Sequence, residues 1–394
     1  MKLKQMMAGA AELEICENQF ARALAMVSGQ QKMLFLALDL SGFPDEHAEG
    51  ALSAICTQCG LSSEDVMMVC SGTRNGPVTS PRYGAAEVDE AFLKGLSGKL
   101  PKVASDAIHA LKMASVGTYR ANLPHIAHEG RFITRNYKVV NEWMGLPRNE
   151  VLSPEGPTDP DLDVLVVRDL SGEPLAIVWS YGATDRFDTS LAQAVQEELD
   201  NRLGRRVPCL YFPGCGANVQ FTYDLEKTVG LLADSIMAAQ AMACCDPAAI
   251  IGSVKKNVIL PVRDYSCFQD RAEVALKYPE ASAAFEEEIE VLKKDGRIAF
   301  ATTIQAVRIG NFAIAGLPGD CFAALGLDLK ARSPFKTTCA TGYCNDSLGY
   351  VIPGKSFAYG GFEAWPARWA KLARGSGEFL TNELSAMLNG LMCR

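Results

Sequence analysis

Residues 33–40, 66–70, 162–167, 175–181 and 207–212 are almost unbroken runs of aliphatic side chains. A strand with one face in water alternates polar and apolar residues, so runs that do not alternate read as strands covered on both faces. Helix-patterned stretches lie between and beyond them, at 47–59, 88–113, 189–203 and 226–243. This interleaving predicts an α/β architecture. Residues 297–308 and 312–316, either side of Ile309-Gly310-Asn311, predict an antiparallel hairpin, so the sheets are mixed. The expected fold is one large α/β domain, residues 1–394, with mixed β-sheets flanked by helices. Seams rich in Pro, Gly and Asp at 147–160 and near 243–250 are too short to be flexible linkers.

Charge excludes one class of partner. Lys and Arg number 38 against 46 Asp and Glu, a formal net charge of −8 with no basic run, so nucleic acid is not an expected partner. No window reaches the roughly 20 apolar residues of a membrane span. Residues 1–11 carry two early lysines but no apolar stretch followed by a small-residue cleavage site. The expectation is a cytoplasmic protein without a membrane partner. Its thirteen cysteines then act chiefly as small buried hydrophobes rather than disulfides. The apolar content allows a homo-oligomer.

Nucleotide loops, zinc-protease helices and serine-hydrolase elbows are absent from the sequence. His125-x-x-His128 is bracketed by Pro124 and Gly130, which favours a surface loop over a metal site. Cys56-x-x-Cys59 has the apolar neighbours of a packed helix face. Four Gly-containing loops follow β-type runs, at 71–77, 182–186, 213–218 and 316–320, where open α/β sheets bind ligands. Their convergence would build a polar pocket holding a small-molecule substrate. Cys215, set between two glycines, is a candidate nucleophile without an identified histidine base.

Taken in order, these segments resemble the N-terminal catalytic domain of the neutral/alkaline, non-lysosomal ceramidases. The matches run from the opening segment at 8–15 through Leu38-Asp39-Leu40, Gly130-Arg131 with Arg135-Asn136, and 156–160 before 164–167. They continue at 213–220, 304–310, 316–322, 332–335, Asn345-Asp346 with Gly349-Tyr350, and Gly360-Gly361-Phe362-Glu363. The resemblance implies that family's fold without its additional C-terminal immunoglobulin-like domain. The family hydrolyses the amide of ceramide with a zinc held by two His, one Glu and one Tyr. Here Gly72 and Arg74 stand at the positions of the first histidine segment and Thr184 at the second, followed by Asp185. Asp320 replaces the Glu, and Tyr350 matches the Tyr.

A guanidinium cannot ligate zinc and repels it, but its fixed charge can do some of zinc's electrostatic work. The expectation is therefore a hydrolase or lyase of a C–N bond in a small polar substrate, with no metal or other cofactor. Arg74 polarises the substrate, Asp320 is the general acid/base and Tyr350 donates to the developing oxyanion. Asn75, Thr184, Asp185, Cys215, Asn218 and Asn345 are the expected substrate-binding residues. Three alternatives stand beside this: a non-catalytic binding or assembly protein, a Cys215 nucleophile, and a hard cation on Asp185, Asp320 and Tyr350. Asp320 could instead cap a helix beginning near 321–323.

Overall fold

The computed structural model describes residues 5–266, 268 and 271–393. The early lysines, Lys2 and Lys4, and one cysteine, Cys267, lie outside the described residues.

An eight-stranded sheet runs in the order Cys209–Tyr211, Pro174–Ser180, Asp161–Asp169, Lys112–Asn122, Met6–Cys16, Gln19–Ser28, Gln31–Leu38, Val66–Cys70. Its inner pairs are antiparallel and the outermost pair at each end is parallel. Parallel neighbours need a crossover, and helices Asp45–Cys59 and Leu191–Leu203 supply the two. A four-stranded sheet, Ile251–Pro261, Ala299–Ile309, Phe312–Gly316 and Thr337–Thr341, repeats the plan, with helix Ala323–Arg332 between the strands of its one parallel pair.

The two sheets pack face to face. Leu24, Phe35, Met67, Leu165 and Phe212 from the first meet Ile251, Val307, Ile314 and Cys339 from the second in one buried cluster. Helices Asp45–Cys59 and Glu90–His109 cover part of the larger sheet's other face, and Leu191–Leu203 with Leu225–Met242 cover the rest. Helices Ala323–Arg332 and Ser376–Met392 close the smaller sheet. The result is a four-layer α-β-β-α sandwich, which explains the unbroken aliphatic runs: both faces of the larger sheet are dry. The mixed α/β domain expected from the sequence is the one observed.

The hairpin is also as expected, with Gly310 at φ 60° in the turn. The helix expected over 88–113 spans Glu90–His109, and Lys112 opens a central strand instead. Leu111 and Met113 continue the helical spacing, but Lys112 and Met113 pair with Ala8 and Met7, and 114–122 pair along Asp161–Asp169. Tertiary pairing wins there over local pattern. The twelve described cysteines are all free and half of them are buried, Cys56 and Cys59 being only partly so. Among the described residues no helix is long and apolar enough to cross a membrane.

The strand-end loops meet at one end of the sandwich and are laced together by backbone hydrogen bonds. Cys70 N donates to Tyr343 O at 3.1 Å, Tyr343 N to Gly319 O at 2.9 Å, Cys215 N to Ala340 O at 3.2 Å and Gly342 N to Pro213 O at 2.9 Å. The glycines of 213–218 serve this lacing. A Cβ on Gly216 would lie 2.3 Å from the carbonyl carbon of Gly182, and one on Gly182 would lie 2.6 Å from Cys215 O. Backbone meets backbone where no side chain fits.

Gly216→Ala therefore lowers stability by about 1–3 kcal/mol, measured as a fall in the urea midpoint. Gly230→Ala, in helix Leu225–Met242 with nothing within 4 Å of the new methyl, is the control, expected to be neutral or slightly stabilising.

Candidate functional site

Short parallel strands place the two central side chains. Asp320 and Tyr350 are direct partners in a two-stranded ladder, Asp320–Cys321 with Tyr350–Val351. Asp320 N donates to Gly349 O at 2.9 Å, and Tyr350 N to Trp369 O at 2.7 Å. Gly349, at φ 82°, allows that approach, since its Cβ would sit 2.4 Å from Trp369 O.

Arg74, on the loop after Val66–Cys70, and Thr184, on the loop after Pro174–Ser180, line the same pocket as Asp320 and Tyr350. Tyr343, from the loop after Thr337–Thr341, donates its hydroxyl to the Asp320 carboxylate. Its backbone is left-handed, at φ 49°, a conformation costly for a ring-bearing residue, and it holds the ring against Gly72. Aromatic rings form the rim: Tyr83, Trp143, Phe362 and Trp369.

Burial pushes the Asp320 carboxyl up to about 6, while the Tyr343 hydroxyl and the Arg74 charge pull it back. Burial, then the charges of Glu363 and Asp320, raises the Tyr350 phenol above its usual value, so at neutral pH it is a proton donor. The Arg74 guanidinium stands exposed at the pocket mouth, and its charge is felt at Asp320, Tyr350, Arg82 and Arg186. Among the described residues no carboxylate lies close enough to pair with it.

The remaining expected binding residues face elsewhere. Asn75 donates to Thr73 Oγ1 at 3.2 Å and Phe187 O at 3.3 Å, tying two loops together. Asp185 is buried and accepts from Phe187 N and Leu191 N, both at 3.2 Å, which fixes the loop ahead of helix Leu191–Leu203. Cys215 is buried in the core against Gly326, away from the pocket, so the nucleophile alternative fails on access. Asn218 bridges Glu129, at 2.6 Å, and Ala323 N, at 2.8 Å. It, and not Asp320, receives the first N–H of helix Ala323–Arg332, which corrects the helix-cap alternative. Asn345, at φ 61°, accepts from Met68 N at 3.1 Å and donates to Gln305 at 2.9 Å. Asp185 lies off the pocket that Asp320 and Tyr350 share, which breaks the proposed oxygen cage for a hard cation.

Tyr343 escaped the sequence reading, and so did the pocket arginines other than Arg74. Arg82 and Arg186 line the pocket, and a count of cations in the strand-end loops points to Arg186, the last residue of the 182–186 loop. Arg82 Nη2 donates to Arg74 O at 2.8 Å, and the Arg186 guanidinium lies over the Trp143 ring at 5.4 Å. Burial, with Arg74 nearby, lowers the affinity of both guanidiniums for their protons, though not enough to discharge them.

A buried ion cluster supports the rim. Arg131 donates Nε to Glu155 at 2.5 Å and Nη2 to Gly360 O at 2.7 Å, and it is paired through Nη1 with Glu363. Asn141 Nδ2 donates to both Glu363 oxygens, at 2.8 and 3.0 Å. The Gly130-Arg131 and Gly360–Glu363 segments are thus one structural unit, and Phe362 is held in place by it.

The donors present do not fit zinc. A side chain at Gly72 would run into Tyr343, its Cβ 2.9 Å from Tyr343 Cε2. Thr184 Oγ1 donates to Gly216 O at 3.2 Å and Ala217 O at 3.4 Å, and Arg74 offers no lone pair. His128 lies between Thr222 and Glu142, and among the described residues no three His, Cys, Asp or Glu side chains gather to hold a metal.

Among solved structures, the chain is similar to neutral ceramidase from Pseudomonas aeruginosa, with a TM-score of 0.71 and 13% identity over 98% of this chain and 74% of that one. It is also similar to a ceramidase complexed with C2, with a TM-score of 0.73 and 12% identity over 99% of this chain and 75% of that one. No family model and no curated protein matches. The chain has the neutral-ceramidase fold, and Gly72, Arg74 and Thr184 line its pocket at the positions where the resemblance called for imidazoles.

Carbon-detected NMR titration of the Asp320 carboxyl should give a midpoint of about 6. Arg74→Met removes a charge that favours the carboxylate, so the midpoint moves up. Arg131→Met strands Glu155 and Glu363 without their counter-ion and costs about 3–5 kcal/mol in a denaturant titration.

Proposed function

We propose that this protein is a hydrolase, or a related lyase, of an amide-type C–N bond in a small polar substrate. It works without a metal, Arg74 supplying the positive charge that zinc supplies in the family it resembles. One observation carries the reading: Arg74, Asp320 and Tyr350 meet in one pocket, with the Asp320 carboxyl poised near neutrality at about 6. In hydrolysis Asp320 takes a proton from the attacking water and returns it to the leaving nitrogen. Tyr350 donates to the oxygen that gains charge as the carbonyl carbon becomes tetrahedral, and Arg74 favours that charge. Thr184 shapes the wall between them.

A second reading is a non-catalytic small-molecule-binding or assembly protein. It is favoured by how many expected binding side chains are spent inside the fabric: Asn75, Asp185, Asn218 and Asn345 all hold loops. With either reading go a cytoplasmic location, a small-molecule partner in place of nucleic acid or membrane, and a homo-oligomeric state.

A thermal-shift screen of amino acids, amides and ureido compounds, followed by mass spectrometry of the stabilising compounds, separates the two. Turnover is expected to fall by about 10²–10⁴ in Asp320→Asn and to be lost in Arg74→Met, with chelator leaving the rate unchanged. Binding without turnover favours the second reading. Stoichiometric zinc whose removal abolishes turnover refutes the role given to Arg74.

A further inference from the structure

Three guanidiniums reach this pocket without a carboxylate of their own. Arg368 also lines it but is neutralised by Glu288 at 2.8 Å and Glu87 at 3.2 Å. Arg74, Arg82 and Arg186 have no such partner among the described residues, and Asp320 is the one carboxylate on the wall. This concentration of positive charge sits in a chain whose formal net charge is −8. Cations gathered against the overall sign raise the local concentration of anions.

Buried donors give the same answer independently. Arg82 Nη1 and Arg186 Nε are shut off from solvent and have no hydrogen-bond partner. A buried donor on a charged group left unmade is costly, so it marks a place where an acceptor belongs. Neither guanidinium lies in the general core: Arg82 is anchored through Nη2 to the Arg74 carbonyl, and Arg186 rests on Trp143 at the rim. Both guanidiniums thus line the pocket with part of their donor capacity unmet by the protein.

We infer that the substrate is an anion, a carboxylate or a phosphate, drawn in by Arg82 and Arg186, each of which lines this pocket and lies near Arg74, leaving its C–N bond between Arg74 and Asp320. Only the position of that bond rests on the hydrolase reading. The aromatic rim then packs against the uncharged remainder of the molecule.

Trp143 and Trp369 line the pocket and report binding by fluorescence. The probes are succinate, inorganic phosphate and the neutral diamide succinamide, titrated into the full chain at two salt concentrations. Succinate or phosphate is expected to bind at least tenfold more tightly than succinamide and to weaken with added salt. Preference for succinate identifies a carboxylate substrate, and preference for phosphate a phosphate ester. Arg82→Met and Arg186→Met should each cost about tenfold or more in that affinity, while Asp320→Asn retains or strengthens it. Equal binding of all three probes, no anion binding, or folded arginine variants that bind like the unaltered chain overturns the inference. The comparison of charged and neutral probes on the unaltered protein decides even if a variant does not fold. Anion binding without turnover of any amide sinks the hydrolase reading and leaves this one standing. Hydrolysis of uncharged amides with KM indifferent to Arg82 and Arg186 does the reverse.

Discussion

Arg131 is fully buried, and a guanidinium taken out of water is tolerated only where carboxylates and carbonyls replace its hydration. Glu155, Glu363 and the Gly360 carbonyl do so, drawing together parts of the chain more than two hundred residues apart. The consequences reach the pocket. Gly361, at φ 87°, can carry no side chain, because a Cβ would meet Arg131 Nη1 at 2.7 Å. Phe362 is thereby set in the rim, its ring 6.4 Å from that of Tyr350. Glu363 leaves enough negative potential to raise both Asp320 and Tyr350. A purely apolar joint would hold the same segments but would not tune those two groups.

Tuning depends equally on what replaced the metal positions. A zinc ion is a point charge at a fixed spot, whereas a guanidinium is a flat fork on a flexible stem, more weakly hydrated and able to change direction. The Tyr343 ring fills the space beside Gly72, and the same ring donates its hydroxyl to Asp320. A histidine at Gly72 and this hydrogen bond would compete for one volume. The left-handed backbone of Tyr343 is the strain that this arrangement carries.

The mixed α/β class was legible because its physics is one-dimensional: a strand covered on both faces must be apolar along its length, as 66–70 and 162–167 are; that a second sheet supplies one of the covers was not. Strand Lys112–Asn122 was not, since residues 111–113 fit a helix until the neighbouring strands Met6–Cys16 and Asp161–Asp169 are known to be there. Arg74, Asp320, Tyr350 and Thr184 were found through the order of motifs, which marks chain positions that share one end of the sheets. Asn218 and Asn345 sit in equally suggestive motifs yet point inward, because a short amide side chain beside a loop serves the backbone as readily as a ligand. Sequence order reports which loop a residue is on. It says nothing about which way the side chain turns.

The same distinction explains why Arg82 and Arg186 were missed and why they matter. Arginine in a loop is ordinarily a solvated surface charge, and although Arg186 ends a strand-end loop, nothing in the spacing of Arg82 separates it from Arg135 or Arg148. What separates them is desolvation: burial lowers the proton affinity of both and leaves a donor on each unsatisfied. A protein bears that cost where another free energy offsets it, and binding an anion is such a source. The exposed Arg74 bears little of that cost. Two partly desolvated cations for recognition, beside an exposed one whose charge reaches Asp320 and Tyr350, is the division of labour that the burial of these three side chains supports.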